Sequence, residues 1–261
     1  MRRLLMIVLA ITSLSATPAD AQSSLEGQIG VGVGFAPDYE GSDEFDPIPI
    51  VPLSLRYEGF GIQSAGRGIQ IDVSGYEFID FGPLFQFRGP RDSDVEDPVV
   101  SLLPPIDAAY EVGGFVEINL PFIAPGKDAL TFIGRVSFDV SGAHDGYTID
   151  TALRYSVPIG EKLRINLIGA TTLASDNYND TYFSVTPAGA AASGLRTFRA
   201  EGGLKDFSGT IAATYLVTDH WGFTAIAQYT NLVGDASDSP LVEDRGSRHQ
   251  FLGGIALTYK F

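Results

Sequence analysis

His249-Gln250-Phe251-Leu252-Gly253-Gly254-Ile255-Ala256-Leu257-Thr258-Tyr259-Lys260-Phe261 is the stretch whose reading decides the fold. Phe251, Gly253, Ile255, Leu257, Tyr259 and Phe261 share one parity; Gln250, Leu252, Gly254, Ala256, Thr258 and Lys260 share the other. Side chains alternate faces along a strand, so one face is apolar and aromatic and the other small or polar. A soluble sandwich strand has the same alternation. Here Phe261 stands beside Tyr259 with no polar residue after it, a poor arrangement for water and a good one for a membrane interface. The expectation is a closing strand of an outer-membrane β-barrel.

The other end of the chain agrees. Met1-Arg2-Arg3 is a positive start, Leu4–Leu14 is apolar apart from Thr12 and Ser13, and Ala19-Asp20-Ala21 is an A-x-A site. This pattern predicts a secretory signal peptide over residues 1–21, cut between Ala21 and Gln22, and a barrel over 22–261. The apolar run is too short for a transmembrane helix. A net charge of −15 excludes a basic nucleic-acid footprint. There is no cysteine, hence no disulfide framework and no thiolate chemistry.

From Gln28 the same pattern recurs. Ile29, Val31, Val33 and Phe35 alternate with glycines; the G-x-G-x-G spelling there is not a dinucleotide loop, because Pro37-Asp38 follows where a helix is needed. Further period-two segments cover 51–57, 60–64, 68–74, 79–88, 110–120, 130–140, 147–157, 163–167, 207–217, 221–229 and 249–261. Segments of about ten residues, aromatic at their ends, are the barrel signature. An all-β sandwich has similar spacing, but strand after strand one face is apolar and the other mixes charge with glycine. The fold class is therefore an all-β antiparallel transmembrane barrel of about 12 strands, or 10 if the short pair at 60–64 and 68–74 does not span. Connections alternate short and long, which places turns such as 121–129, 158–161 and 218–220 in the periplasm and longer loops outside.

The polar face carries Arg56, Arg88, Glu111, Glu117, Arg135, Asp139, Asp150, Arg154, Lys162 and Arg164, which are expected to face the lumen. Barrel interiors are polar whether or not they conduct. Pairing would plug a narrow lumen, and unpaired charges would line a channel; a 12-strand wall favours a narrow or occluded one. Two acidic loops, with Asp38, Glu40, Asp43 and Glu44 in one and Asp235, Asp238, Glu243 and Asp244 in the other, match no cation-loop spacing and read as solvated. His144 near Ser141 and Asp145 has the residue types of a hydrolytic triad, but neighbours in sequence mark a turn, and triads are defined by geometry. No catalytic residue, metal or cofactor is expected.

Several stretches resemble the MipA/OmpV outer-membrane proteins. They include Pro37-Asp38-Tyr39-Glu40-Gly41-Ser42-Asp43, Gly82-Pro83-Leu84, Glu111-Val112-Gly113-Gly114-Phe115, Asp219-His220-Trp221 and Gly234-Asp235-Ala236-Ser237-Asp238-Ser239-Pro240-Leu241-Val242. The first and last of these are the most specific, and the resemblance covers essentially all of 22–261. It implies outer-membrane location, contact with outer-membrane lipid, and no catalytic residue. It also implies a scaffold role, joining a periplasmic lytic transglycosylase to a murein synthase. A narrow channel for small polar solutes and an adhesin acting through outer loops are the alternatives.

Overall fold

The computed structural model describes residues 25–121 and 127–261. The expected signal peptide and residues 122–126 of the turn after Pro121 lie outside them. Thirteen strands follow one another: β1 (Glu26–Pro37), β2 (Phe45–Ile50), β3 (Leu53–Tyr57), β4 (Phe60–Ala65), β5 (Gly68–Asp72), β6 (Ile79–Arg88), β7 (Ala109–Pro121), β8 (Ala129–Asp139), β9 (Tyr147–Ile159), β10 (Leu163–Ala174), β11 (Gly203–Leu216), β12 (Trp221–Leu232) and β13 (His249–Lys260). From β3 to β13 each strand pairs antiparallel with the next, β2 and β3 both pair with β1, and β13 returns to pair with β1 from Gln28–Lys260 to Phe35–Gly253. The sheet closes on itself. No edge remains along the seam, which is how strands can cross lipid with every backbone group paired.

Two of the thirteen share one place in the wall. The second edge of β1 pairs with β3 over Glu26–Ile29 and with β2 over Gly32–Pro37. β2 and β3 are thus one crossing interrupted at Val51-Pro52, and the barrel has 12 wall positions. Pattern reading placed Asp46 in a loop and began the strand at Val51. Pro47 and Pro49, which look like turn residues, hid β2. They lie opposite Phe35 and Val33. Proline has no N–H, so these are non-hydrogen-bonded pairs, and the missing donors fall on the strand's other edge. The short pair β4 and β5 belongs to the wall, bonded to β3 on one side and β6 on the other.

Outward positions are apolar and exposed along the wall: Val31, Val33 and Phe35 on β1, Leu153 on β9, Ile211 on β11, Ile255 and Leu257 on β13. Aromatic pairs gather at two levels. Phe87–Tyr110, Phe138–Tyr147 and Tyr229–Phe251 lie toward the outer loops, and Trp221–Tyr259 lies at the periplasmic end. Such bands suit the two interfaces of a bilayer.

The outer loops are not loose. They contain α1 (Asp176–Phe183), α2 (Pro187–Ser193), α3 (Gly234–Asp238) and α4 (Pro240–Glu243). Ser175 caps α1 by accepting the Tyr178 amide, and Thr186 caps α2 by accepting the Gly189 amide. Val185 and Phe198 pair as an antiparallel bridge inside this loop rather than extending the wall. Tyr178, Tyr182, Phe183, Leu232, Ala236 and Val242 form one buried cluster; Tyr39, Val95, Val100, Leu103, Val185 and Leu241 form another. A cap with its own apolar core thus sits at the outer mouth.

The alternation along β9 sets a test of facing. Leu153 is exposed, whereas the Ser156 hydroxyl donates to Asn166 on the opposite face, 2.6 Å away. Arginine on the lipid face near the bilayer midplane costs about 2–4 kcal/mol and much less in the lumen. Leu153→Arg is therefore expected to impair folding into lipid vesicles far more than Ser156→Arg, read from the heat-modifiable gel band. Equal tolerance would overturn this assignment of the faces.

Candidate functional site

The enclosed polar groups form two tiers, and both start on β7. Glu111 and Glu117 share its inward parity with Gly113 and Phe115 between them. The lower tier centres on Glu117, which is completely buried. It accepts Arg135 Nη2 at 3.2 Å, Arg154 Nη2 at 2.6 Å and Gln70 Nε2 at 2.8 Å. Arg135 Nε donates in turn to Gln70 Oε1 at 3.1 Å. Arg135 lies opposite Asp150, which accepts the Thr172 hydroxyl. A buried carboxylate is tolerable only when paired and fully hydrogen-bonded, and this one is bonded from β5, β8 and β9.

Toward the periplasm, Arg56 reaches Asp80 at 3.4 Å, and Asn119 Nδ2 donates to the same carboxylate at 2.8 Å. Lys162 belongs to the turn before β10, and Arg164 lies one residue inside that strand; both are exposed. Asp139 does different work from a wall charge. It accepts the amides of Ser141, His144 and Asp145 and the Ser141 hydroxyl, and so shapes the turn after β8.

The upper tier joins wall to cap. Glu111 accepts Arg88 Nε at 2.6 Å and contacts His144 Nε2 at 3.1 Å. The Gly146 amide donates to His144 Nδ1, which makes Nδ1 the acceptor and Nε2–H the donor to Glu111. Both ring nitrogens are thereby used, while the Ser141 hydroxyl bonds Asp139; Ser141, His144 and Asp145 are not arranged as a triad. His144 packs edge-on against Tyr178, which is completely buried. The Arg88 guanidinium lies 4.8 Å from the Tyr178 ring centre, and the Tyr178 hydroxyl donates to Glu40 Oε2 at 2.6 Å. Glu40 also accepts the Lys205 ammonium, which bonds Asp206 at 3.0 Å as well.

Glu40 was expected in a solvated acidic loop and is instead an ion-pair partner inside the mouth. Asp235 and Glu243 are likewise occupied, with the Glu201 amide and with Arg196. The two most distinctive loop stretches meet here. Gly41, at φ +103°, lies against Val242, where a Cβ would come within 2.5 Å of Val242 Cγ2. Its amide donates to Gln250 Oε1, and Gln250 Nε2 donates to the Ser42 carbonyl. Tyr39 packs in the same cluster as Leu241, Ser239 Oγ donates to the Phe183 carbonyl, and Pro240 and Ala236 are buried. Asp38 accepts the Glu96 amide, while Asp43 is exposed. Pattern reading found the wall charges but not Gln70 as a partner of Glu117, Asp72 and Asp80 as partners of Arg56, or Lys205 and Tyr178 as partners of Glu40. Only the inward parity of Gln70, Asp72 and Asp80 was there to be read.

This closed wall, its aromatic bands and its capped polar interior define an outer-membrane β-barrel. The model of the MltA-interacting protein MipA family matches residues 29–261, and the chain belongs to that family. The outer membrane protein Omp26La of Vibrio anguillarum is 30% identical over 125 residues, 47% of this chain and 46% of that protein. The match therefore spans about half the length of that curated relative. Among solved structures, in-vitro folded OmpT of Vibrio cholerae (trimer form) has TM-score 0.38 at 8% identity, over 91% of this chain and 98% of that one. OprD from Pseudomonas aeruginosa has TM-score 0.34 at 8% identity, over 91% and 93%. The fold assignment rests on the strand pairings, not on these likenesses. The protein is located in the outer membrane.

Two loop carboxyls make the cap sensitive to pH in opposite senses. Burial pushes the Glu40 carboxyl up, but Lys205, Arg88 and the hydrogen bond from Tyr178 outweigh it and bring its pKa down to about 2. Its contribution is present above about pH 4.5 and is lost as pH falls toward 2. Burial, opposed by the Glu96 amide and reinforced by Asp46, raises Asp38 to about 6. Its contribution is present below about pH 3.8 and is lost as pH rises through 6. The near-ultraviolet circular dichroism of the buried tyrosines is expected to weaken at both ends of this range. Glu40→Gln should remove the acid limb and Asp38→Asn the alkaline one; unchanged limbs would disconnect these carboxyls from cap stability.

Proposed function

We propose that this chain is a non-enzymatic barrel whose periplasmic rim docks a murein-processing enzyme, a lytic transglycosylase first and a murein synthase through the same assembly. The supporting observation is the asymmetry of the two ends. The outer mouth is filled by the folded cap, and the charges of the β5–β9 wall are spent on one another. The periplasmic rim presents exposed Glu58, Glu77, Glu161, Lys162, Asp219 and His220. The description of the family as interacting with MltA supports the same partner class.

A stable interface buries about 800 Å² per partner. Short turns reach that area only together, so docking is modest in strength and spread over several of them. Replacing residues 121–129 by a tight Asn-Gly turn is expected to weaken capture of the transglycosylase by roughly tenfold, about 1.4 kcal/mol, with the heat-modifiable band retained. Replacement of 158–161 and of 218–220 should add to the loss. Capture unaffected by all three replacements would remove docking from the periplasmic rim.

A second reading, a narrow passage for small polar solutes, has its own observation. On β11 and β12 the inward residues include small or hydroxylated side chains that are only half-buried, Ser208, Thr210 and Thr214 on β11 and Thr224 and Thr230 on β12, beside Ile226 and Gln228. Incomplete burial leaves room beside that wall. Planar-bilayer recording separates the readings: the docking role alone expects no conductance steps, and a passage expects small ones that grow when the cap is deleted.

A further inference from the structure

A cleft of about 390 Å³ opens at the outer rim between α1, the chain entering β11 and the start of α3. That volume is within the range of small-molecule sites. Asn179 lines it from α1 and is 98% buried, being only 2% exposed. Its Nδ2 donates to the Glu201 carbonyl at 2.7 Å, but its Oδ1 has no hydrogen-bond partner. Buried side-chain acceptors are nearly always satisfied, and an orphan beside a cavity points to a donor from outside the chain.

The rest of the lining has a consistent chemistry. Glu201 and Asp235 are both acidic members of the lining, and no basic residue belongs to it. An anionic ligand is therefore disfavoured. Asp235 is held in place because its Oδ2 accepts the Glu201 amide at 2.7 Å. Part of the cleft is bare backbone. Gly203 and Gly234 adopt φ +149° and +57°, and a Cβ on Gly202 would lie 2.6 Å from the Asp176 amide nitrogen. Leu204, Phe207 and Val233 supply an apolar side, and Phe207 is half exposed in the outward aromatic band. Acceptors and an aromatic in one lining match a ring that carries hydroxyl donors around its edge and C–H groups on its face.

We propose that this cleft binds a neutral sugar ring, with hydroxyls donating to Asn179 Oδ1 and Asp235 and the C–H face resting on Phe207. The ring comes either as a free saccharide or as the headgroup of a glycolipid in the outer leaflet, since Phe207 is at that level. This site is independent of the docking rim on the opposite side of the membrane.

The test uses the full-length protein folded in a sugar-free zwitterionic detergent and read by saturation-transfer NMR. One arm titrates methyl glucoside and N-acetylglucosamine. The other compares vesicles of phosphatidylcholine alone with vesicles that also contain a glucosyl diacylglycerol. Saturable ring-proton signals in the first arm identify a free saccharide, and signals in the second arm alone identify a lipid-borne one. Phe207→Ala and Asp235→Asn, both at accessible positions, should each weaken binding by about fivefold or more. Phe251→Ala, in the same aromatic band away from the cleft, should leave it unchanged. Heat-modifiable bands verify that the variants are folded. No signal in either arm, signals that survive both variants, or binding of methylammonium with no sugar binding would overturn the proposal.

Discussion

The seam between β1 and β13 is the constraint on which the rest of this structure depends. In hydrocarbon an unpaired N–H or C=O has no water to turn to, so the sheet must close. Closure depends on close packing at the seam, as other strand pairs in the wall do. Gly32 faces Ala256 across the seam, and a Cβ on Gly32 would lie 2.0 Å from the Ile255 carbonyl oxygen. A side chain there would push the two strands apart where they must bond. The unusual crossing at β2 and β3 is compatible with this rule. Where β2 has no wall partner beyond β1 among the described residues, Pro47 and Pro49 withdraw the donors that would otherwise face outward unpaired.

Closure creates an interior, and the interior sets the electrostatic problem. Removing carboxylates and guanidinium groups from water costs several kcal/mol per ion unless partners repay it. The wall answers with shared acids: Glu117 serves two arginines, and Glu111 serves Arg88 and His144. The cap makes the same use of Glu40. This one carboxylate accepts from Lys205 on the wall and from Tyr178 on α1, so the loop after β1 is held to both. Arg245 and Asp97, and Arg91 with the Tyr182 carbonyl, hold other loops into the cap. The outer end is thus a small folded layer built on the barrel, and the docking surface proposed above is left to the opposite end.

Much of this was legible in the chain. Strand count, facing and the order of short and long connections follow from period two, because a lipid-facing residue and a lumen-facing residue must alternate. The loops were harder to read. Their acids looked solvated because a run such as Asp38 to Asp46 has the composition of a surface turn. Nothing local marks Glu40 as different from Asp43, yet one is bonded in the mouth and the other is exposed. The difference is made by Lys205, 165 residues away.

What the sequence by itself determined is the wall: an antiparallel transmembrane barrel, its twelve crossings and its two faces. Alternation is a local property, set by the geometry of one strand, so a single segment such as His249–Phe261 already carries it. What only the tertiary structure decided is the contents of the mouth. Tyr178 has four partners drawn from separate places in the chain: Glu40, Arg88, His144 and Lys205. Contacts of that kind have no period and no spacing. They exist because closing the barrel brings the ends of distant strands into one ring, and the physical cost of burying charge there selects the pairs that form.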